Sequence, residues 1–181
     1  MTTANVPFER SYWVVPGKLL AGYYPGDPDQ RDAHAKLRGL LEHGIRHVVS
    51  LVAEDRFGND GRPMDYPSQL TAIGREMGID ASCSRTPIGD SEIPSKETMQ
   101  SILDVIDNSI AEGRPVYVHC FGGIGRTGTV VGCYLARHGI AGGSEALEHI
   151  RRLRINDPVA HIASPENELQ RDMVRSWQVG E

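Results

Sequence analysis

The sequence has few cysteines, and their number is odd: 3 in 181 residues. A small secreted domain held by disulfides would carry more of them and an even number, so the sequence excludes a disulfide framework and favours a reducing compartment. Basic residues are also in the minority, with 19 Lys and Arg against 24 Asp and Glu and a formal charge of −5. A nucleic-acid partner would need a basic face, so we expect none.

Long hydrophobic runs are missing as well. No segment approaches the roughly 20 apolar residues of a membrane span, and no basic region followed by an apolar stretch stands at the start of the sequence. We therefore expect a cytoplasmic protein with no membrane partner. A length of 181 residues is enough to bury one core, which predicts a single domain over residues 1–181, with its core at about 12–177. We expect a monomer.

Strand-like and helical patterns alternate along the chain, with no internal repeat. This alternation predicts an α/β fold with a mostly parallel sheet covered by helices on both faces. A polar loop rich in Gly, Asp, Asn and Pro is predicted at residues 54–67. The predicted strands are residues 12–15, 19–23, 47–52, 81–86 and the run that ends before Cys120. The predicted helices are residues 29–43, 70–77, one capped by Ser95, one from Arg126 to His138, one capped by Ser144, and one begun by Ser164 and Pro165 with Leu169, Met173 and Trp177 on one face.

The most informative segment is residues 117–131, which read YVHCFGGIGRTGTVV. Strand formers bring Cys120 to the end of a buried strand, a loop with three glycines follows, and a helix begins near Arg126. Glycines let successive backbone N–H groups point inward, and a helix N-terminus adds positive potential at the same place. Such an environment stabilises a thiolate, and an arginine fork matches two phosphate oxygens. The segment therefore predicts a nucleophile in a phosphate-binding loop.

The spacing Cys-x5-Arg, with the preceding His119 and the following Thr127 and Gly128, resembles the signature loop of cysteine-dependent protein tyrosine phosphatases. The glycine-rich form is similar to that of the dual-specificity branch, in particular the cyclin-dependent-kinase-associated and bacterial relatives. Neither Cys83 nor Cys133 is followed by an arginine at this spacing. Phosphoinositide phosphatases of this superfamily typically carry lysines in the loop, and none stands between Cys120 and Arg126, so the resemblance disfavours a polyphosphorylated lipid as substrate.

The resemblance implies a phosphomonoester hydrolase that forms a cysteinyl-phosphate and needs no metal or cofactor. Its substrate is expected to be a phosphorylated protein, dephosphorylated at tyrosine and also at serine or threonine, or a small phosphomonoester. The backbone of Phe121, Gly122, Gly123, Ile124, Gly125 and Arg126 is expected to bind the phosphate. Two alternatives stay open: a module that binds a phosphorylated ligand without turnover, and a phosphatase of a small metabolite or lipid. A sulfur transferase of the rhodanese type is a third class.

A thiolate that attacks a phosphate monoester needs an acid to protonate the leaving oxygen. Asp90 lies at the carboxyl end of a strand expected to neighbour the Cys120 strand, in the crevice where α/β sheets bind ligands. Residues 86–94 are similar to the family's general-acid loop, with the aspartate in the matching place. Glu92 is the next candidate acid, followed by Asp55.

The supporting residues are predicted from alternation and resemblance. His119 should point to the opposite face of its strand from Cys120, because strand side chains alternate, and it should hydrogen-bond the loop from behind. The hydroxyl of Thr127 is expected to donate to the leaving sulfur. Gln170 resembles a glutamine that places the hydrolytic water in some relatives, although a polar helix face explains it as well. Cys83 is either a redox partner of Cys120 or a small core residue, and the core role is preferred.

Overall fold

The structure is a computed structural model that describes residues 5–54, 56–58, 61–62 and 64–181. In these residues the strands form one five-stranded sheet in the order β1-β2-β5-β3-β4. β1 pairs antiparallel with β2, and the other neighbours are parallel, which confirms the predicted mostly parallel α/β fold. The strands are β1 Ser11–Val15, β2 Leu19–Gly22, β3 His47–Val52, β4 Ser82–Ile88 and β5 Val116–His119.

Helices cover both faces of this sheet, each packed through an apolar stripe. Side-chain oxygens cap several of them: Asp29 accepts from the backbone of Arg31 at the start of α1, and Ser95 accepts from Thr98 at the start of α3. In the described part of the chain no helix has the length and apolar character to cross a membrane. The helices are α1 Gln30–Glu42, α2 Tyr66–Met77, α3 Lys96–Ala111, α4 Gly125–Arg137, α5 Gly143–Leu153 and α6 Glu168–Ser176.

Side chains along β5 alternate between the two faces of the sheet. Val116, Val118 and Cys120 join the core beneath α3 and α4, whereas Tyr117 joins the core beneath α1 and α2. His119 stacks on Tyr117, with ring centroids 5.8 Å apart, and so lies on the face opposite Cys120. β5 therefore places the Cys120 thiol on the face covered by α3 and α4, and the His119 ring behind it on the face covered by α1 and α2.

Three helix starts differ from the sequence prediction by two residues or more. α2 begins at Tyr66 rather than residue 70, because the Asp65 side chain accepts from the backbone of Ser68 at 3.1 Å. α5 is capped by Gly142, so Ser144 lies inside the helix. α6 begins after Asn167, whose side chain accepts from the Gln170 backbone at 3.0 Å.

The residues predicted to start α6 are not helical. Ser164 and Pro165 precede the helix, and the peptide bond between them is cis. The predicted apolar face is also wrong in part, since Leu169 is 56% exposed while Trp177 is buried. Val174 faces the core instead, against Gly132 of α4, where an added Cβ would come within 2.5 Å of the valine side chain. The close contact with α4 thus decides which side of α6 is buried.

Candidate active site

The loop between β5 and α4 brings Cys120 to the N-terminus of a helix. Cys120 follows the last residue of β5 and is 3% exposed, and α4 begins five residues later at Gly125. The backbone N–H of Gly123 donates to the Cys120 Sγ at 3.3 Å. Gly123 has a φ of 71°, and an added Cβ would lie 2.5 Å from the backbone of Gly22 in β2. Only glycine fits this position, because both the backbone angle and the available space exclude a side chain.

The carbonyl groups of the loop are fixed from outside. The Arg10 side chain donates to the Gly122 oxygen at 2.7 Å, and the Ser164 hydroxyl donates to the Ile124 oxygen at 2.7 Å. The backbone N–H of Tyr24 donates to the Phe121 oxygen at 3.0 Å. With the carbonyl oxygens held by these donors, the backbone N–H groups are left to bind an anion.

Arg126 lies in the first turn of α4 and is 3% exposed. Its two terminal nitrogens each donate to one carboxylate oxygen of Glu54 at 3.0 Å, and one also donates to the Ile88 carbonyl at 3.0 Å. These hydrogen bonds from Arg126 lower the pKa of Glu54 to about 2. Glu54 therefore stays ionised at neutral pH and fixes the direction of the guanidinium.

Asp90 lies 3.2 Å from the guanidinium of Arg126, with its side chain 76% exposed. The prediction that its strand neighbours the Cys120 strand is wrong: β3 lies between β4 and β5. Asp90 nevertheless reaches the site, where it contacts Arg126 and lines the same pocket as Cys120. Glu92 does not line the pocket, and its carboxylate packs against Gly89, where an added Cβ would lie 2.1 Å from a carboxylate oxygen. Asp55 lies outside the described residues.

His119 supports the loop from the opposite face of the sheet. Its Nδ1 lies 2.8 Å from the carbonyl oxygen of Cys120, and its Nε2 lies 2.7 Å from the hydroxyl of Tyr66. A carbonyl can only accept, so Nδ1 carries the proton and the Tyr66 hydroxyl donates to Nε2. Burial lowers the pKa of His119 to about 4, against a weaker opposing effect of the Cys120 backbone. The ring is therefore neutral at physiological pH and is not a base for the thiol.

The buried His119 ring predicts a loss of stability in mild acid. Between its ordinary pKa of 6.5 and its folded pKa of about 4, the unfolded chain binds a proton that the folded chain does not. Stability should therefore fall as pH drops through this window, by up to about 3 kcal/mol. We expect the free energy of unfolding in urea to differ less between about pH 7 and about pH 5 in His119→Gln than in wild type.

The matched control is His161→Gln, because that ring is exposed and outside both cores. His47, whose pKa is also lowered by burial, should supply the slope that remains in the His119 variant. An unchanged slope in His119→Gln would show that the ring is not buried in its neutral form.

The other two supporting residues, Thr127 and Gln170, are both buried, and their predicted roles during the reaction stay predictions. Thr127 is fully buried, and its hydroxyl has no hydrogen-bond partner among the described residues, so it does not donate to the sulfur in this structure. Gln170 is fully buried rather than on a polar face. Its amide donates to the Glu92 carbonyl at 3.3 Å and accepts from the Glu166 backbone at 3.2 Å. Gln170 thereby joins the loop before α6 to the Asp90 loop.

Cys83 is too far from Cys120 to form a disulfide with it. In the sheet, Cys83 of β4 is the register partner of Val48 in β3, and Val48 is the register partner of Tyr117 in β5. Cys120 is therefore two strands away from Cys83 and three residues further along. The distance between the two cysteines is well over about 10 Å, which is beyond the reach of a disulfide. Burial raises the pKa of Cys83 to about 12. The core role therefore fits and the redox partnership does not.

The loop, the acid and the arginine line one pocket of about 200 Å³. Cys120, Arg126 and Asp90 are joined there by Arg56 and Glu166. The sequence places Arg56 after a strand that ends on the crevice side, although a solvated loop explains it equally well. No spacing rule could have found Glu166 or Glu54, because each comes from a loop distant in sequence from Cys120. Within the described ranges, no group of three or more His, Cys, Asp or Glu residues is placed to hold a metal ion.

Comparison with known proteins identifies the family. Residues 26–140 match the family model described as "Polymorphic toxin system, DSP-PTPase phosphatase". The chain is 30% identical over 180 residues to the dual specificity protein phosphatase CDC14A of Homo sapiens, covering 93% of this chain and 26% of that protein. It spans less than half the length of the curated relatives that it matches.

Solved structures agree with this assignment at the level of the fold. The active form of Tk-PTP matches with a TM-score of 0.67 and 24% identity, over 94% of this chain and 97% of that one. A kinase associated phosphatase with its catalytic-site cysteine replaced by serine matches with a TM-score of 0.64 and 16% identity, over 95% and 94%. The chain therefore belongs to the DSP-PTPase phosphatase family of polymorphic toxin systems, a dual-specificity-like member of the protein tyrosine phosphatase superfamily.

Proposed function

We propose that this protein is a phosphomonoester hydrolase that removes phosphate from phosphotyrosine, and also from phosphoserine or phosphothreonine, in protein substrates through a cysteinyl-phosphate. The observation that carries the proposal is that Cys120, Arg126 and Asp90 line one pocket at the N-terminus of α4. A nucleophile, an anion-binding fork and a proton donor are the three groups that this chemistry needs. We also expect it to act as a monomer in the cytoplasm.

Binding begins with the phosphate dianion entering the loop. The backbone N–H groups of residues 121–126 donate to its oxygens, and the N-terminus of α4 adds positive potential. Arg126 gives up its contact with Asp90 and binds the phosphate instead, while Glu54 remains paired with the guanidinium. This exchange frees the Asp90 carboxyl to face the leaving oxygen.

The reaction then runs in two displacements. In the first, the Cys120 sulfur forms a bond to phosphorus, the bond from phosphorus to the tyrosine oxygen breaks, and protonated Asp90 transfers its proton to that oxygen. In the second, a water oxygen attacks phosphorus, ionised Asp90 takes a proton from the water, and the sulfur leaves as thiolate. The N–H of Gly123, 3.3 Å from the Cys120 sulfur, stabilises that thiolate.

Two features of the pocket mouth support an aryl phosphate as substrate. The Phe121 ring is 44% exposed, and the Arg56 guanidinium lies over it, 3.3 Å from the ring centroid. Together they form a flat wall beside the catalytic loop, against which the ring of phosphotyrosine can pack.

The test is turnover on a panel of phosphorylated substrates. Phosphate release should be measured for a phosphotyrosine peptide, the same peptide with phosphoserine, and a phosphoinositide. We expect the phosphotyrosine peptide to have the highest kcat/KM. Binding of all three without release would favour the binding module, and preference for the phosphoinositide would favour the lipid alternative. Thiosulfate turnover would indicate the rhodanese class.

Arg126→Lys should impair catalysis severely. A lysine offers a point charge where the guanidinium forms parallel hydrogen bonds to Glu54 and supplies a fork to the phosphate. We expect kcat/KM to fall by about 10²-fold or more, with weaker vanadate binding, because the transition-state contacts are lost. The matched control is Arg151→Lys on the exposed face of α5. Vanadate affinity that equals wild type in Arg126→Lys would refute the assigned role.

A further inference from the structure

A second pocket of about 410 Å³ adjoins the catalytic one. It is called the flanking pocket here, and Arg56, Phe121 and Gly122 line both pockets, so the two share one rim. Arg10 and Lys36 also line the flanking pocket. A substrate whose phosphate occupies the catalytic loop would extend across this rim, because the rim is where the two openings meet.

The charges in the flanking pocket do not balance. Lys36 is paired with Asp27 at 3.0 Å, and Arg56 is paired with Glu54 at 2.7 Å. Arg10 has no carboxylate partner among the described residues: its guanidinium donates to the Gly122 carbonyl and lies over the Tyr23 ring, 4.7 Å from the centroid. Among the described charged residues that line the pocket, Arg10, Lys36 and Arg56 are cations and only Asp27 is an anion, although the chain as a whole has a formal charge of −5.

The two arginines also have donors to spare. Among the described residues, Arg10 donates to the Gly122 carbonyl and Arg56 donates to Glu54, each through one terminal nitrogen. A guanidinium carries five N–H donors, and since the Nε atoms are buried, the further capacity for an anion lies in the terminal N–H groups. Stacking on Tyr23 and Phe121 holds the two planes in place. An arginine held in this way loses little conformational freedom when it binds a carboxylate.

Exposed aromatic rings complete the pocket. Phe57 is 58% exposed and Phe121 is 44% exposed, and both line the flanking pocket. Apolar rings at the edge of a charged pocket are typical of a surface that binds a ligand. The chemistry that fits is an acidic group carried on a chain that can lie against these rings.

We propose that the flanking pocket binds an acidic side chain close to the phosphorylated tyrosine of a protein substrate, with Arg10 as its main charged partner. The inference rests on the proposed function, since it names a preference of that same site. Arg10 acts at the same time as a positioning residue for the catalytic loop, through its bond to the Gly122 carbonyl. Occupation of the flanking pocket thus bears directly on the phosphate-binding backbone.

The experiment compares two phosphotyrosine peptides that differ only in Glu or Gln at the positions flanking the phosphotyrosine. Wild-type kcat/KM should be about fivefold higher for the Glu peptide at low salt, the scale of a partly exposed charge pair. This ratio should approach one at high salt, because salt screens the attraction. Arg10→Gln should bring the ratio to about one at low salt, and Arg10→Lys should keep part of it.

The ratio of kcat/KM for the Glu peptide to that for the Gln peptide separates two roles of Arg10, which are recognition of the acidic residue and positioning of the catalytic loop. Damage to the loop in Arg10→Gln would lower turnover of both peptides and of an aryl phosphate by the same factor, and would leave the ratio unchanged. The matched control is Arg151→Gln, which removes an equal charge from an exposed helix face and should retain the wild-type ratio. A ratio near one in wild type, or a wild-type ratio in Arg10→Gln, would overturn the inference.

Two further outcomes separate this inference from the proposed function. If neither peptide is dephosphorylated while an aryl phosphate is, protein phosphatase activity fails, and the peptide preference fails with it. A third comparison measures kcat/KM for a small bisphosphate and for the corresponding monophosphate. If the bisphosphate is preferred in an Arg10-dependent way while the two peptides react equally, the anion comes from a small molecule, and the proposal of an acidic protein residue is wrong.

Discussion

Replacing Cys120 by serine should remove turnover and keep the binding of phosphate analogues. A serine hydroxyl is a much weaker nucleophile than cysteine sulfur, so the variant lacks its nucleophile while the loop that surrounds it is unchanged. We expect kcat to fall by roughly 10³–10⁶-fold, the scale seen when an enzyme loses its nucleophile. Phosphate-release assays measure the loss, and thermal shifts with vanadate or phosphate measure binding.

The control for this change is Cys83→Ser, which also removes one thiol but lies two strands from the site. It should retain full turnover. Acid quenching of wild type during turnover should trap phosphate on Cys120, which mass spectrometry can locate. Turnover of Cys120→Ser near that of wild type would refute the covalent mechanism, because no other thiol in the described chain lines the pocket.

The catalytic loop could be predicted because its signals are local. The strand, the glycines, Cys120 and Arg126 are contiguous, and the conformation that they adopt depends on the backbone freedom of Gly123 and the helix start at Gly125. The position of His119 behind the loop follows in the same way from the alternation of side chains along β5. These features depend on the order of residue types within about a dozen positions.

The groups that orient the loop could not be predicted, because they come from distant segments. Glu54 contacts Arg126 across 72 positions, and Arg10 contacts the Gly122 carbonyl across 112. Each is an ordinary charged residue in a polar segment, so its local sequence fits a solvated surface equally well. Only the strand order brings them to the site, and no pattern in the sequence specifies that order.

The rotation of α6 could not be predicted either. A polar pattern with Leu169 as its apolar anchor predicts a surface helix, yet Gln170 is fully buried and Leu169 is exposed. The reason lies in two glycines of α4: an added Cβ at Gly125 would lie 3.0 Å from the Gln170 amide, and Gly132 admits Val174. Small residues in α4 thus decide which face of α6 is buried. The periodicity of apolar residues within α6 cannot predict this, because it depends on the neighbouring helix.

Asp90→Asn should lower turnover of phosphotyrosine peptides by ~10²–10⁴-fold, the usual contribution of general acid catalysis. The amide keeps the shape of the side chain and cannot donate a proton to the leaving oxygen. With an activated aryl phosphate the loss should shrink, because that leaving group hardly needs protonation. The matched control is Glu92→Gln, which removes a carboxylate from the same loop outside the pocket and should react like wild type.

The dependence on the leaving group identifies the acid among the groups near the thiol. Glu54, with its pKa lowered to about 2 by the hydrogen bonds from Arg126, is already ionised throughout the catalytic range. His119, with its pKa lowered to about 4 by burial, is neutral and faces away from the pocket. Neither group can therefore give a proton to the leaving oxygen, and a loss of turnover that grows as the leaving group becomes poorer should follow from Asp90→Asn. If neither substrate is affected in Asp90→Asn, Asp90 is not the acid; the same dependence on the leaving group in Glu166→Gln would then assign the role to Glu166, the other carboxylate that lines the pocket with Cys120.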